Sequence, residues 1–86
     1  MATIELRGDP PLPMLVNREL SVHAVVRMTR EVGIDELIAT TTLNDDDLVA
    51  VRAYYYAHPE LIDLLLAGET RQAAELARRL DTDVAF

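Results

Sequence analysis

The chain has 86 residues, half of them hydrophobic, which suits one small domain with its own core and argues against wholesale disorder. Its net charge of −7 and pI near 4.6 disfavour non-specific contact with nucleic acid or an anionic membrane and favour a basic partner. There is no cysteine, which excludes disulfides, thiolate zinc sites and thiol nucleophiles.

No apolar run approaches the roughly 18 residues of a membrane span, and no signal peptide opens the chain, so a cytoplasmic location and no membrane partner are expected. Residues 3–7 alternate polar and apolar, the period of a half-buried strand that shows Ile4 and Leu6 to one side. Gly8 to Pro11 then form a turn. Leu12 to Val16 is a second extended segment, and Pro13 inside it points to an edge position. Two such strands are marginal alone. They must pack on the helices, on a second copy or on a partner, which makes Ile4 and Leu6 candidate interface residues.

Ser21 is placed to cap a helix over 22–32, with Val22, Val25, Val26 and Thr29 on its inner face and Gly33 as terminator. Asp35 is placed to cap the next, whose inner stripe is Leu37, Ile38 and Thr41. The β-branched run Thr40-Thr41-Thr42 ends it in a turn. Asn44 caps a longer helix, Asp45–Asp47 fill its first turn as solvated, dipole-matched charge, and Leu43 and Leu48 are spaced as a hydrophobic staple.

Residues 33–58 thus read as helix, turn, longer helix: the outline of a helix-turn-helix. Three leading aspartates suit a DNA-reading helix badly. Residues 34–58 carry five acidic side chains against one basic, Arg52. Contact with DNA would rest on Arg7, Arg18, Arg27 and Arg30 of a dimer, with Thr41, Thr42 and Asn44 touching phosphates or base edges.

The consecutive Tyr54, Tyr55 and Tyr56 cannot all face one core. Core packing and an interface role are both open, Tyr54 and Tyr56 being the interface candidates. Pro59 ends this helix and starts another, whose leucines lie on more than one face and which Gly68 closes. Thr70 is placed to cap a last helix with Ala73, Leu76, Ala77 and Leu80 on one face and an Arg71–Glu75 pair on the other. That helix either folds back on the domain or extends into a groove on another protein. In the second case Leu76, Arg78, Arg79, Leu80 and Phe86 are the partner-binding residues. The expected organisation is a helix-turn-helix-like domain over 1–68 and a C-terminal helix and tail over 69–86. The fold class is mostly α with a short N-terminal β segment.

Catalytic equipment is sparse. His23 and His58 read as packing or capping residues. No acidic spacing suits a metal, and no glycine-rich phosphate loop exists, so neither enzyme activity nor a cofactor is expected.

The run Leu20-Ser-Val-His-Ala-Val-Val-Arg, then Gly33-Ile-Asp-Glu-Leu-Ile, then residues 43–63 with Asn-Asp-Asp-Asp and Ala-Tyr-Tyr-Tyr-Ala-His-Pro-Glu, resembles the domain of unknown function 433 family. The resemblance covers residues 10–66. Gly8-Asp9-Pro10-Pro11 only echoes the usual Gly-x-Pro-x-Ile-x-Gly-Thr-Arg opening. The resemblance implies a helix-turn-helix-like antitoxin of a type II toxin–antitoxin pair, similar to VapB-type antitoxins. Its implied toxin is a PIN-like ribonuclease with metal-binding carboxylates. Such proteins are expected to dimerise, to bind the toxin through a C-terminal extension and to repress their own operon, with operator DNA bound in complex with the toxin. The alternatives are a stand-alone helix-turn-helix regulator and a non-catalytic adaptor module.

Overall fold

The structure, a computed structural model, describes residues 2–8 and 11–84, with side chains described as far as Leu80. Its fold is mostly α with a short N-terminal sheet. Strands β1 (Ile4–Arg7), β2 (Leu12–Leu15) and β3 (Leu20–Ser21) form an antiparallel sheet in that order. Helices α1 (Val22–Val32), α2 (Ile34–Thr40), α3 (Asp45–Ala57), α4 (Pro59–Leu66) and α5 (Thr70–Val84) follow.

The sheet differs from expectation in one respect. The segment containing Pro13 is the middle strand, because Leu20–Ser21 adds a third. The ladder tolerates the proline because β3 pairs only with Met14 and Leu15 and stops before Pro13. On the other side Pro13 sits opposite Leu6. Ile4 and Leu6 are half-buried and lie against the core.

A one-turn 3-10 helix, Val16–Arg18, joins β2 to β3. It closes at Glu19, which has a φ of 56° and donates its N–H to the Val16 carbonyl.

Helix α1 is the hub, packed against β2, β3, α2, α3 and α4. Val22, Val25 and Val26 form its buried stripe, as the 3.6-residue period requires. Ser21 stands at its N-cap position without a side-chain bond, and Gly33 at φ 84° takes the chain directly into α2. Gly33 is therefore the N-cap of α2, and Asp35 falls in its first turn rather than capping it. Leu37 is buried, while Thr41 lies past the helix end, its hydroxyl donating to the Leu37 carbonyl and accepting from the Leu43 N–H.

Helix α4 buries Leu61, Ile62 and Leu65, and Leu64 and Leu66 pack at the margin, so it is covered on more than one side. Gly68 at φ 81° turns the chain. Thr70 is the first residue of α5 and not its cap: the Glu69 carbonyl accepts the Ala73 N–H. Of the two courses open to this helix, the chain takes the first. It folds back on α4 and β2, with Ala73 and Ala77 fully buried in the common core. Alanines let the helix approach closely. Ion pairs among the described residues are Arg7–Glu5 and Arg18–Asp47, so Arg71 and Glu75 do not form one.

Candidate functional site

The start of α3 overturns one expectation. Asp47 is not solvated; it is 1 % exposed. Asn17 Nδ2 donates to its Oδ1 at 2.9 Å, Arg18 Nε to its Oδ2 at 2.8 Å, and the Asn44 N–H to Oδ2 at 3.1 Å. Asp47 N–H returns a bond to Asn44 Oδ1 at 3.0 Å, completing a capping box. Asn17 Oδ1 also accepts the Thr3 N–H. One carboxylate therefore ties the sheet and the 3-10 turn to the first turn of α3. Burial pushes the Asp47 carboxyl up, but the Asn17 amide, the Asn44 N–H and the Arg18 guanidinium outweigh it and hold it below the ordinary carboxylate value. The signal was present in the Asn44-x-x-Asp47 spacing; what the chain could not reveal was that Asn17 and Arg18 close over it.

With Asp47 withdrawn, the α2–α3 unit shows water Asp35, Glu36, Asp45 and Asp46. No basic residue lies between Arg30 and Arg52. The end of a DNA-reading unit that would meet phosphates is thus acidic.

The proposed DNA contacts are largely committed elsewhere. Arg18 holds Asp47. Arg30 Nη2 donates to the Tyr55 hydroxyl at 2.9 Å, with its guanidinium 5.6 Å from that ring's centroid. The Thr41 hydroxyl and the Asn44 side chain cap helices. Arg27 and Thr42 are exposed.

The three tyrosines differ in exposure and contacts. Tyr54 is half-buried and packs on His58 with centroids 4.7 Å apart; burial raises its hydroxyl pKa. Tyr55 is half-buried and its hydroxyl donates to the Asp63 carboxylate, so Arg30, Tyr55 and Asp63 link α1, α3 and α4. Tyr56 is 70 % exposed, and Arg52 lies over its ring at 5.3 Å and donates to its hydroxyl at 3.2 Å.

Beside them, a cleft of about 660 Å³ opens between α1 and α3. Val26, Ile34, Leu48, Val49 and Tyr56 supply its apolar wall, and Arg30, Asp45 and Arg52 its charges. Ile34 and Val49 are 50 % and 65 % exposed.

At the C-terminal end, Leu76 and Leu80 are half-buried and face a pocket of about 190 Å³ lined also by His58, Pro59 and Leu61. Arg78 and Arg79 are exposed, while Phe86 lies outside the described residues. His23 is partly buried with its Nδ1 unpaired, and burial followed by the nearby Arg27 charge lowers its pKa. Among the described residues no three acidic or histidine side chains converge on a metal-sized site, and no helix is long and apolar enough to cross a membrane.

Comparison with protein-family models, curated proteins and solved structures returned no match.

Proposed function

We propose that this chain is the antitoxin of a type II toxin–antitoxin pair, a binding protein rather than an enzyme, acting on a PIN-like ribonuclease in the cytoplasm. The observation that carries this reading is the acidic surface of the α2–α3 unit. Asp35, Glu36, Asp45 and Asp46 are exposed there with no basic side chain between Arg30 and Arg52. A ribonuclease must hold a polyanion, so its substrate surface is positive, and a carboxylate-bearing helical unit competes for that surface. The class of partner comes from the resemblance of residues 10–66 to the domain of unknown function 433 family.

In this account the outer face of α5 makes the second contact. Arg78 and Arg79 pair with the nuclease carboxylates and so displace metal or RNA, bidentate guanidinium–carboxylate pairs being among the stronger polar contacts. Repression of the chain's own operon would then belong to the toxin-bound assembly, in which the toxin supplies positive charge that this chain lacks. A stand-alone DNA regulator is the second reading, supported by the helix–turn–helix outline of α2 and α3. It is opposed by the same four carboxylates.

Co-expression with the neighbouring gene tests the proposal. The neighbour's product alone should arrest growth, and this chain should relieve the arrest and co-purify with it. A neighbour that is harmless alone overturns the antitoxin reading and leaves an adaptor role. The Arg78→Ala/Arg79→Ala double variant should lose inhibition of RNA cleavage; undiminished inhibition would remove the arginine contact. A gel shift on the chain's own promoter, with and without the neighbour, separates the DNA reading.

A further inference from the structure

The cleft between α1 and α3 carries charge of the opposite sign to the whole chain. The sequence has 15 acidic residues against 8 basic, yet this cleft is lined by two arginines, Arg30 and Arg52, and one acid, Asp45. Arg30 comes from α1 and Arg52 from α3, and they lie 5.6 and 5.3 Å from the ring centroids of Tyr55 and Tyr56. Neither guanidinium is in an ion pair among the described residues. Arg52 donates its Nε to the Tyr56 hydroxyl, and Arg30 donates its Nη2 to the Tyr55 hydroxyl. Asp63 reaches Arg30 only through that Tyr55 hydroxyl. Both terminal nitrogens of Arg52 and the Nη1 of Arg30 therefore have no acceptor among the described residues.

We propose that this cleft binds a small molecule with one carboxylate on an apolar body. The argument is charge complementarity joined to size. Terminal guanidinium nitrogens take a carboxylate in a bidentate pair. Ile34 and Val49, 50 % and 65 % exposed, offer the apolar body a wall on each side. A volume of about 660 Å³ falls within the roughly 300–1,000 Å³ usual for small-molecule sites, which commonly lie between helices. Asp45 opens α3 two turns before Arg52, about 10 Å along the axis. It leaves the arginine end free for one anionic head and repels a second, so a polyanion fits poorly. A basic peptide would meet both arginines. The inference does not rest on the antitoxin reading, since no partner protein enters it.

The test is a titration of the full-length, ¹⁵N-labelled chain with 2-naphthylacetate, followed by amide chemical shifts. The corresponding naphthylethanol and naphthylethylamine serve as probes of like size with neutral and cationic heads. The acid should bind saturably, with shifts centred on Arg30, Ile34, Val49 and Arg52, and about tenfold more tightly than the alcohol. The amine should bind more weakly than either. Arg52→Gln and Arg30→Gln should each remove most of the preference for the acid and leave alcohol binding unchanged. Both side chains are exposed, so helical circular dichroism should not change. Saturating acid should raise the melting temperature of the wild type more than that of Arg52→Gln. Equal affinity for acid and alcohol, shifts centred outside the cleft, or an Arg52→Gln chain that binds the acid as the wild type does would overturn the proposal. Shifts of the same amides with chain concentration alone would make a second copy the occupant and overturn it too.

Discussion

Asp47 is the residue on which most of the N-terminal half depends. Its carboxylate satisfies Asn17, Arg18 and the Asn44 N–H at once, at 1 % exposure. Replacing it with Ala leaves a guanidinium, an amide and a helix-terminal N–H without their acceptor, and should cost about 3 kcal/mol, read from the urea midpoint. The pH dependence follows from two groups shifted the same way. The Asp47 carboxyl is held below its ordinary value of 3.8. Its contribution is therefore complete above pH 3.8 and is lost as pH falls through the lower folded value. The His23 imidazole is held below 6.5, because burial and then Arg27 disfavour its charged form. The unfolded chain binds that proton more readily, so stability is full above pH 6.5 and declines as pH falls below it. In a series of urea melts, His23→Leu should flatten the limb just below neutrality and leave the acid limb, while Asp47→Ala should flatten the acid limb. A melt series unchanged by either substitution would contradict these assignments.

At the scale of elements, the five helices were legible because their signals are local. Val22, Val25 and Val26 carry the 3.6-residue period, Gly33, Pro59 and Gly68 mark ends, and Asn44 caps α3. What escaped the sequence was set by contacts distant along the chain. Leu20–Ser21 is too short for a strand signature and exists as one because β2 lies beside it. Asp47 looks like the other first-turn aspartates until Asn17 and Arg18, about thirty residues away, close over it. Arg18 read as a free cation for the same reason. The choice between folding back and extending, open for α5, was decided by Ala73 and Ala77, which are small enough to enter the core. Ala77→Leu should overpack that contact and cost about 1–3 kcal/mol, lowering the melting temperature. Gly33→Ala should cost roughly 1–3 kcal/mol from backbone strain alone, since φ 84° and ψ 161° is a conformation that only glycine adopts readily, while a Cβ there would meet no atom within 4 Å. A neutral Ala77→Leu would mean that α5 is not seated on the core as described.

At the scale of the whole molecule, the outline of a nucleic-acid reader is combined with a surface of the wrong sign for that task. Of the net charge of −7, −4 falls in residues 34–58 and −3 in residues 59–69, while Arg18 and Arg30 are engaged and the other basic residues of the helices outside α3 sit on α1 and α5. The proposed roles divide this surface. The carboxylates of α2 and the start of α3 meet a basic nuclease, and the arginines of α5 reach its acidic centre. The most direct measurement is the RNA-cleavage rate of the purified product of the neighbouring gene, titrated with the full chain at several salt concentrations. The account predicts saturable inhibition that weakens as salt rises. The triple variant Asp35→Asn, Glu36→Gln and Asp46→Asn should inhibit roughly tenfold less well or worse. Undiminished cleavage in an excess of the chain, or equal inhibition by the triple variant at every salt concentration, would contradict it.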